Sequence, residues 1–218
     1  MIDWRHHMET ELLKIFDENR NEIGTASRAD AHRKGLWHET FHCWFVERQA
    51  GEDYIYLQIR SHLKKDYPSL LDITAAGHLL ASETVKDGIR EVQEELGVPI
   101  EWKEVVSLGI VKNEIYQKNL IDKEYSHIFL YENRLPMEDF RLQSEEVTGI
   151  VRAKFSEFES FYMNEVSEIK IEGFEYDSKG QRLSIKQNVG MDRFVPHQES
   201  YSSAIVKMIG EYLASRDK

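Results

Sequence analysis

The chain has a single cysteine, Cys43, in 218 residues. No intrachain disulfide can form and a Cys-x-x-Cys metal knuckle is ruled out, which fits a reducing cytoplasm. Cations are in short supply: 28 Lys and Arg stand against 39 Asp and Glu, a formal charge of −11. Such a balance repels a polyphosphate backbone. It argues against DNA or RNA as a partner, and it means that a small anionic substrate needs local basic help. Long apolar runs are also missing. The longest mainly apolar stretch, LLDITAAGHLLA, carries Asp72, Thr74 and His78 and is too short to cross a bilayer as a helix, so no membrane is expected. The N-terminal MIDWRHHMETELLKIF is charged throughout and lacks the apolar core of a secretory signal, so export is not expected either. The 4 prolines are scattered, and no linker, repeat or low-complexity tract divides the chain. One domain is expected over residues 1–218, with a core at about 12–165 and a hairpin and helix appended at 167–215. Nothing in the composition fixes the oligomeric state, and a homodimer is compatible with it.

What the chain does carry is strand-rich alternation. Residues 13–26 alternate around Asp17-Glu18-Asn19-Arg20-Asn21 and read as a hairpin, followed by a short helix or ordered loop up to Glu39. TFHCWFVER (40–48) and YIYLQIRS (54–61) read as paired strands, and LLDITAAG (70–77) as a third. Further strands are expected at 101–111, 125–132 and 147–155, then a short helix near SEFESFYM. A hairpin turning at Asp177–Gly180 and a closing amphipathic helix at 199–214, through Ile205, Met208, Ile209 and Leu213, complete the reading. Trp37, Phe41, Trp44 and Tyr56 fit a core, with stacking on a base or isoprenoid as the alternative, and Cys43 fits a core; His197 fits a hydrogen bond at the entry to the last helix, the alternative being an acid or base that reaches the pocket.

The segment GHLLASETVKDGIREVQEELGV (77–98) stands apart. A helix over 84–96 puts Val85, Ile89, Val92 and Leu96 on one stripe facing the core, with Glu91, Glu94 and Glu95 on the opposite face beside Asp87. Like charges at this spacing destabilise a helix unless a cation lies among them. Carboxylate oxygens suit magnesium or manganese; the alternative is a solvated acidic face.

Gly77, Glu83 and then Arg90-Glu91-Val92-Gln93-Glu94-Glu95-Leu96-Gly97-Val98 resemble the Nudix box, the loop–helix motif of Nudix hydrolases. Two departures stand in the loop: six residues rather than seven separate Glu83 from Arg90, and Ser82 replaces the usual glycine. The resemblance implies an α/β (α+β) Nudix fold, a mixed β-sheet sandwiched between α-helices, with the loop–helix at 77–98. It also implies Glu91 and Glu95 as direct metal ligands and Glu94 as a third ligand or one acting through water. Arg90 would orient the glutamates, and Glu94 or Glu83 would assist water activation.

A wider stretch, roughly 15–130, is similar to type I isopentenyl diphosphate isomerases and the bacterial Nudix hydrolases related to them. That resemblance implies Arg60 and Lys64 as diphosphate-binding bases. It further implies a second divalent-metal site from His38, His78, Asp122 and Glu124, with His32 as a third histidine; Asp122 and Glu124 are also candidates for a catalytic base on a loop. The isomerases carry a reactive cysteine in a Cys-Gly-His stretch, which here reads Ala76-Gly77-His78. The expected activity is therefore metal-assisted attack of water on an X-linked diphosphate. The rivals are an isomerase with an unusual acid and a non-catalytic diphosphate-binding module.

Overall fold

The computed structural model describes residues 10–118 and 120–216. The charged N-terminal stretch falls mostly on residues 1–9, outside the described residues. The chain order is β1 (Leu12–Phe16), β2 (Glu22–Ser27), α1 (Arg28–Lys34), β3 (Trp37–Gln49), β4 (Glu52–Arg60), β5 (Leu71–Asp72), β6 (Ala75–His78), α2 (Arg90–Leu96), β7 (Val105–Gln117) and β8 (Leu120–Glu132). It continues with β9 (Val147–Lys154), α3 (Phe155–Tyr162), β10 (Ile169–Tyr176), β11 (Arg182–Val189) and α4 (Glu199–Ser215).

All strands join one mixed sheet. The long β3 is its spine: β8 runs parallel along one edge from Trp37 to Val46, while β1, β6 and β4 take successive stretches of the other edge in antiparallel register. Strand alternation splits the apolar residues between two cores, because successive side chains point to opposite faces. Phe41, Cys43 and Phe45 of β3 join Phe129 of β8 and Val92 and Leu96 of α2 on one face. Trp44 and Val46 join Ile128, Leu130, α3 and α4 on the other. Helices thus cover both faces, as the resemblance implies.

Three local readings need correction. LLDITAAG is two strands, since β5 pairs with β4 and β6 with β3. Thr74 makes the crossing: its hydroxyl accepts from Phe45 N (3.0 Å) and donates to Tyr56 O (2.5 Å), filling the gap between β3 and β4. The acidic helix begins at Arg90, not at 84. Asp87 accepts from Thr84 N and Oγ1 (2.8 and 2.7 Å), which stops the helix from extending back and removes Asp87 from the glutamate cluster. Asp87 to Ile89 form a 3-10 turn leading into α2. Finally, β7 and β8 extend to Gln117 and back from Leu120 as one long hairpin, whose polar end was unreadable as strand because its inward side chains are Asn113, Asp122 and Glu124.

Burying Val92 and Leu96 completely contributes roughly 2 kcal/mol each and fixes the roll of α2. Gly97 then ends the helix at φ 67°, a left-handed conformation that glycine adopts without strain.

The C-terminal hairpin is docked through a glycine. A Cβ on Gly173 would land on Ile150 O and 2.7 Å from Val151 Cα, both backbone atoms of the neighbouring β9. Gly173→Ala is expected to cost about 1–3 kcal/mol through forced separation of β9 and β10. Urea denaturation would show a lower midpoint; an unchanged midpoint would mean the two strands can spread freely.

Candidate active site

Arg90 is the centre of the box. Its Nε and Nη2 donate to the two oxygens of Glu83 (2.6 and 3.1 Å), and Nη1 donates to Glu91 (2.6 Å) and Glu94 (3.0 Å). Glu83 also accepts from Leu80 N at 2.8 Å, so the six-residue spacer still closes the loop onto the helix. Both Glu83 oxygens are thereby occupied, and its side chain does not line the cavity described below.

Glu91 and Glu95 lie one turn apart and point under β6. Glu95 is buried, and Arg90 leaves it to the backbone: its Oε2 accepts from Ala76 N at 3.1 Å. Gly77 makes room for Glu91: a Cβ there would overlap the Glu91 carboxyl group and push that side chain from its place. Burial raises the pKa of Glu91 above the ordinary range against the pull of Arg90. For Glu95, burial and the charge of Glu91 raise it well above. Glu94, by contrast, has a half-exposed side chain.

These glutamates form one wall of a cavity of about 380 Å³. Arg60 and Lys64 line it too, as expected, yet both are paired: Arg60 with Asp72 at 2.9 Å and Lys64 with Glu146. Lys64 is close enough to act electrostatically on Glu95. Arg28 adds a further base to the lining.

The opposite wall carries the histidines. His32 comes from α1, His38 from β3, His78 from β6 and Asp122 from β8, and one ligand atom from each lies within 4.8 Å of all the others. His38 Nδ1 faces Leu36 O at 3.0 Å, leaving Nε2 toward Asp122 at 3.3 Å; neither His38 Nε2 nor Asp122 Oδ1 has a hydrogen-bond partner. Burial pushes His32 down to about 4 and His78 well below its ordinary value. Neutral rings with free lone pairs are what a metal requires. For His38, burial opposes the charge but Asp122 outweighs it, so its pKa is raised. Glu124 falls outside this four-residue group. It bonds instead to Asn113 (3.1 Å) and Ser126 (3.2 Å), and both acids sit on a strand rather than a loop.

Two further histidines belong to the cavity, His197 as the second of its two sequence readings and His42 with no sequence reading at all. His197 does not serve the helix entry; it reaches inward, with Nε2 2.9 Å from Asp72 and Nδ1 3.2 Å from Asn113 Nδ2. His42 is buried, with Nδ1 2.7 Å from the Tyr201 hydroxyl. The polar interruption of an apolar β3 at His38, Thr40 and His42 was the available signal. Cys43 sits on the other face in the apolar core, and its burial pushes the thiol pKa up. Trp37, Phe41, Trp44 and Tyr56 are likewise buried.

A mixed sheet between helices, with a loop–helix presenting glutamates to a polar cavity, defines an α+β class. The Nudix domain matches residues 36–174, and the chain belongs to that family. An uncharacterized Nudix hydrolase of Clostridium acetobutylicum is 37% identical over 202 residues, covering 93% of this chain and 98% of its own. Isopentenyl-diphosphate Delta-isomerase 2 of Photorhabdus laumondii is 31% identical over 121 residues, 55% of this chain and 66% of its own. A Deinococcus radiodurans crystal structure shares the fold at a TM-score of 0.52 and 19% identity, covering 69% of this chain and 87% of its own. Among the described residues no helix is long and apolar enough to cross a membrane.

The glutamate pair sets a pH dependence. A carboxyl whose folded pKa lies above its unfolded value holds its proton more tightly in the native state. Stability is thus fully present below the ordinary value of 4.5 and is lost as pH rises above it. With chelator present, Glu95→Gln is expected to be more stable than the parent at mildly alkaline pH, by on the order of 1–3 kcal/mol. The gain should shrink at mildly acidic pH. Thermal melts at both conditions check this, and a parent protein equally stable at both would contradict it.

Proposed function

We propose that the chain is a hydrolase of diphosphate-linked small molecules, dependent on a divalent metal held directly by Glu91 and Glu95, with Glu94 acting through a bound water. The observation that carries the reading is the pair Glu91 and Glu95, two carboxyls pressed together under β6 with raised pKa values, in a cavity that also holds Arg60 and Lys64. The donor set fits a hard cation, since it is all carboxylate oxygen, and a cation would displace the protons that burial favours on Glu91 and Glu95. When bound, magnesium or manganese supplies Lewis acidity toward phosphorus and a more acidic water.

The residues divide the remaining work. Arg90 holds Glu91 and Glu94 at fixed positions, and Glu83 holds Arg90 and the loop. Lys64 and Arg60 offset negative charge developing on the phosphate oxygens. Glu94, exposed to the cavity mouth, accepts a proton from the attacking water as the new P–O bond forms and the bridging P–O bond breaks. An isomerase reading lacks support, because Ala76 contributes an amide to Glu95 and no side-chain acid, while Cys43 is sealed in the other core.

The histidine cluster fits a second divalent ion such as zinc or manganese. With Nδ1 turned to Leu36 O, a neutral His38 aims its Nε2 lone pair at Asp122 Oδ1 3.3 Å away, and a cation there would take the place of the proton that Asp122 otherwise favours on that nitrogen. Metal analysis of the purified protein is expected to give one more tightly held ion per chain in the parent than in His38→Ala. Equal content in the two would remove this site.

Against a panel of nucleoside, sugar, thiamine and isoprenoid diphosphates, magnesium or manganese should support release of phosphorylated products, and chelation should stop it. Glu95→Gln is expected to lower turnover by about a hundredfold or more with an unchanged circular dichroism spectrum. Undiminished hydrolysis in that variant would overturn the assignment, and conversion of isopentenyl diphosphate into dimethylallyl diphosphate would replace it with the isomerase.

A further inference from the structure

The segment that follows the Nudix domain returns to the cavity. The residues matched by that domain end at 174, yet Phe194 pairs with Leu71 of β5 in an isolated parallel bridge, and Val195 N donates to Leu71 O at 2.9 Å. Phe194 and Val195 are both buried, which anchors the chain at this point. His197 N then donates to Val195 O at 2.8 Å, and its ring lies against that of Tyr201 on α4, with centroids 4.9 Å apart. Backbone and ring are thus both held, with Nε2 facing Asp72.

Asp72 links this histidine to Arg60. Its Oδ1 meets His197 Nε2 and accepts from Ile73 N, both at 2.9 Å, while Oδ2 accepts from Arg60 Nη1 at 2.9 Å. Burial works against a charge on Asp72, but His197 and Arg60 outweigh it and the carboxyl stays ionised. An ionised oxygen can only accept, so the ring nitrogen facing it carries a hydrogen. Arg60 in turn donates from Nε to Tyr67 O (3.2 Å) and from Nη2 to Asp66 O (2.9 Å). With Asp72, three of the five guanidinium N–H groups are taken by the protein, and two remain on a side chain that lines the cavity. Asp66 and Tyr67 belong to the loop between β4 and β5, so Asp72 is the acceptor that ties the guanidinium to the sheet.

We infer that the segment after the Nudix domain completes the phosphate-binding wall, with His197 as a positioning residue: it holds Asp72, and Asp72 sets the plane in which Arg60 offers its two remaining N–H groups to the substrate. His197 touches neither substrate nor metal in this arrangement; its work is to keep a carboxylate from turning. Without the ring, Asp72 Oδ1 keeps only the Ile73 amide, and the carboxylate and the guanidinium that it aligns can swing together. A misplacement of about 1 Å from a change away from the chemistry costs up to about a hundredfold. The C-terminal hairpin and helix are by this reading part of the site, since α4 supplies the Tyr201 ring against which His197 rests.

The inference rests on the hydrolase reading for a diphosphate at Arg60, and the test separates the two. Methylenebisphosphonate, an inert diphosphate, would be titrated by calorimetry into the magnesium-loaded parent, His197→Ala, Arg60→Met and the double variant, with turnover of the diphosphate panel measured alongside. His197→Ala is expected to weaken binding about tenfold, and His197→Gln, whose side-chain nitrogen can still donate to Asp72, should recover most of it. In the Arg60→Met background His197→Ala should change nothing further, because its effect runs through Arg60. Parent-like binding by His197→Ala overturns the inference. So does an equal loss in both backgrounds, which marks a merely structural residue; turnover by the parent then leaves the hydrolase reading standing. The expected pattern without turnover upholds the inference and removes the hydrolase reading, and no binding by the parent removes both. Should a variant fail to fold, the His197 Nε2–H signal of the parent protein, followed by NMR, serves. It should shift with the bisphosphonate; a signal that stays in place, or that moves with magnesium alone, overturns the inference.

Discussion

The arrangement depends on keeping two carboxyls, Glu91 and Glu95, out of water and against each other. In the local chain Arg90 favours Glu91 alone, and the rest is imposed from behind. Val92 and Leu96 anchor the opposite side of α2 in the apolar core, so the helix cannot roll its glutamates outward without exposing them. Gly77 provides the missing volume in front, and the Ala76 amide offers Glu95 a single neutral donor. β6 is itself pinned by its register with β3, Phe41 opposite Gly77 and His42 opposite Ala76. A small hydrophobic contact on one side of a seven-residue helix thus maintains an electrostatically costly contact on the other.

The cavity exists because one face of the sheet changes character along its strands. On that face apolar bulk is confined to the far half of β3, where Trp44 and Val46 meet Ile128 and Leu130. Toward the start of β3 and β8 the same face carries His38, Thr40 and His42 beside Asp122 and Glu124. Side chains that must hydrogen bond cannot close-pack as aliphatics do, and space is left between them. The same change places bases in an acidic protein: Arg28, Arg60, Lys64 and Arg90 gather at this cavity against a chain charge of −11.

Legibility in the sequence followed chain distance. The box was readable because Arg90 and its three carboxylate partners lie within twelve consecutive residues, 83–94. Strand alternation likewise exposed the core, since Phe41, Trp44 and Tyr56 are sorted by a period of two. Readings failed where a side chain replaced a backbone pattern: Asp87 capping Thr84 shortened the helix, and Thr74 split a strand. The Asn113–His197 contact spans 84 positions and the Asp72–His197 contact 125, so no local signal could join them. His197 looked like a helix-entry residue because its sequence neighbours are those of a helix entry.

The relation to the isomerases follows from which atoms the shared scaffold uses. At position 76 the fold needs a backbone N–H, because that is what Glu95 accepts from, and the side chain is free to vary. Alanine there keeps the support for Glu95 and brings no side-chain acid, so a change at this position leaves the sheet as it is. The histidine wall, assembled from α1, β3, β6 and β8, is independent of that change, since its ligand atoms come from side chains whose backbone positions the sheet register already fixes. A scaffold of this kind separates the placing of the two walls, which needs many elements in register, from what a single side chain at their junction can change.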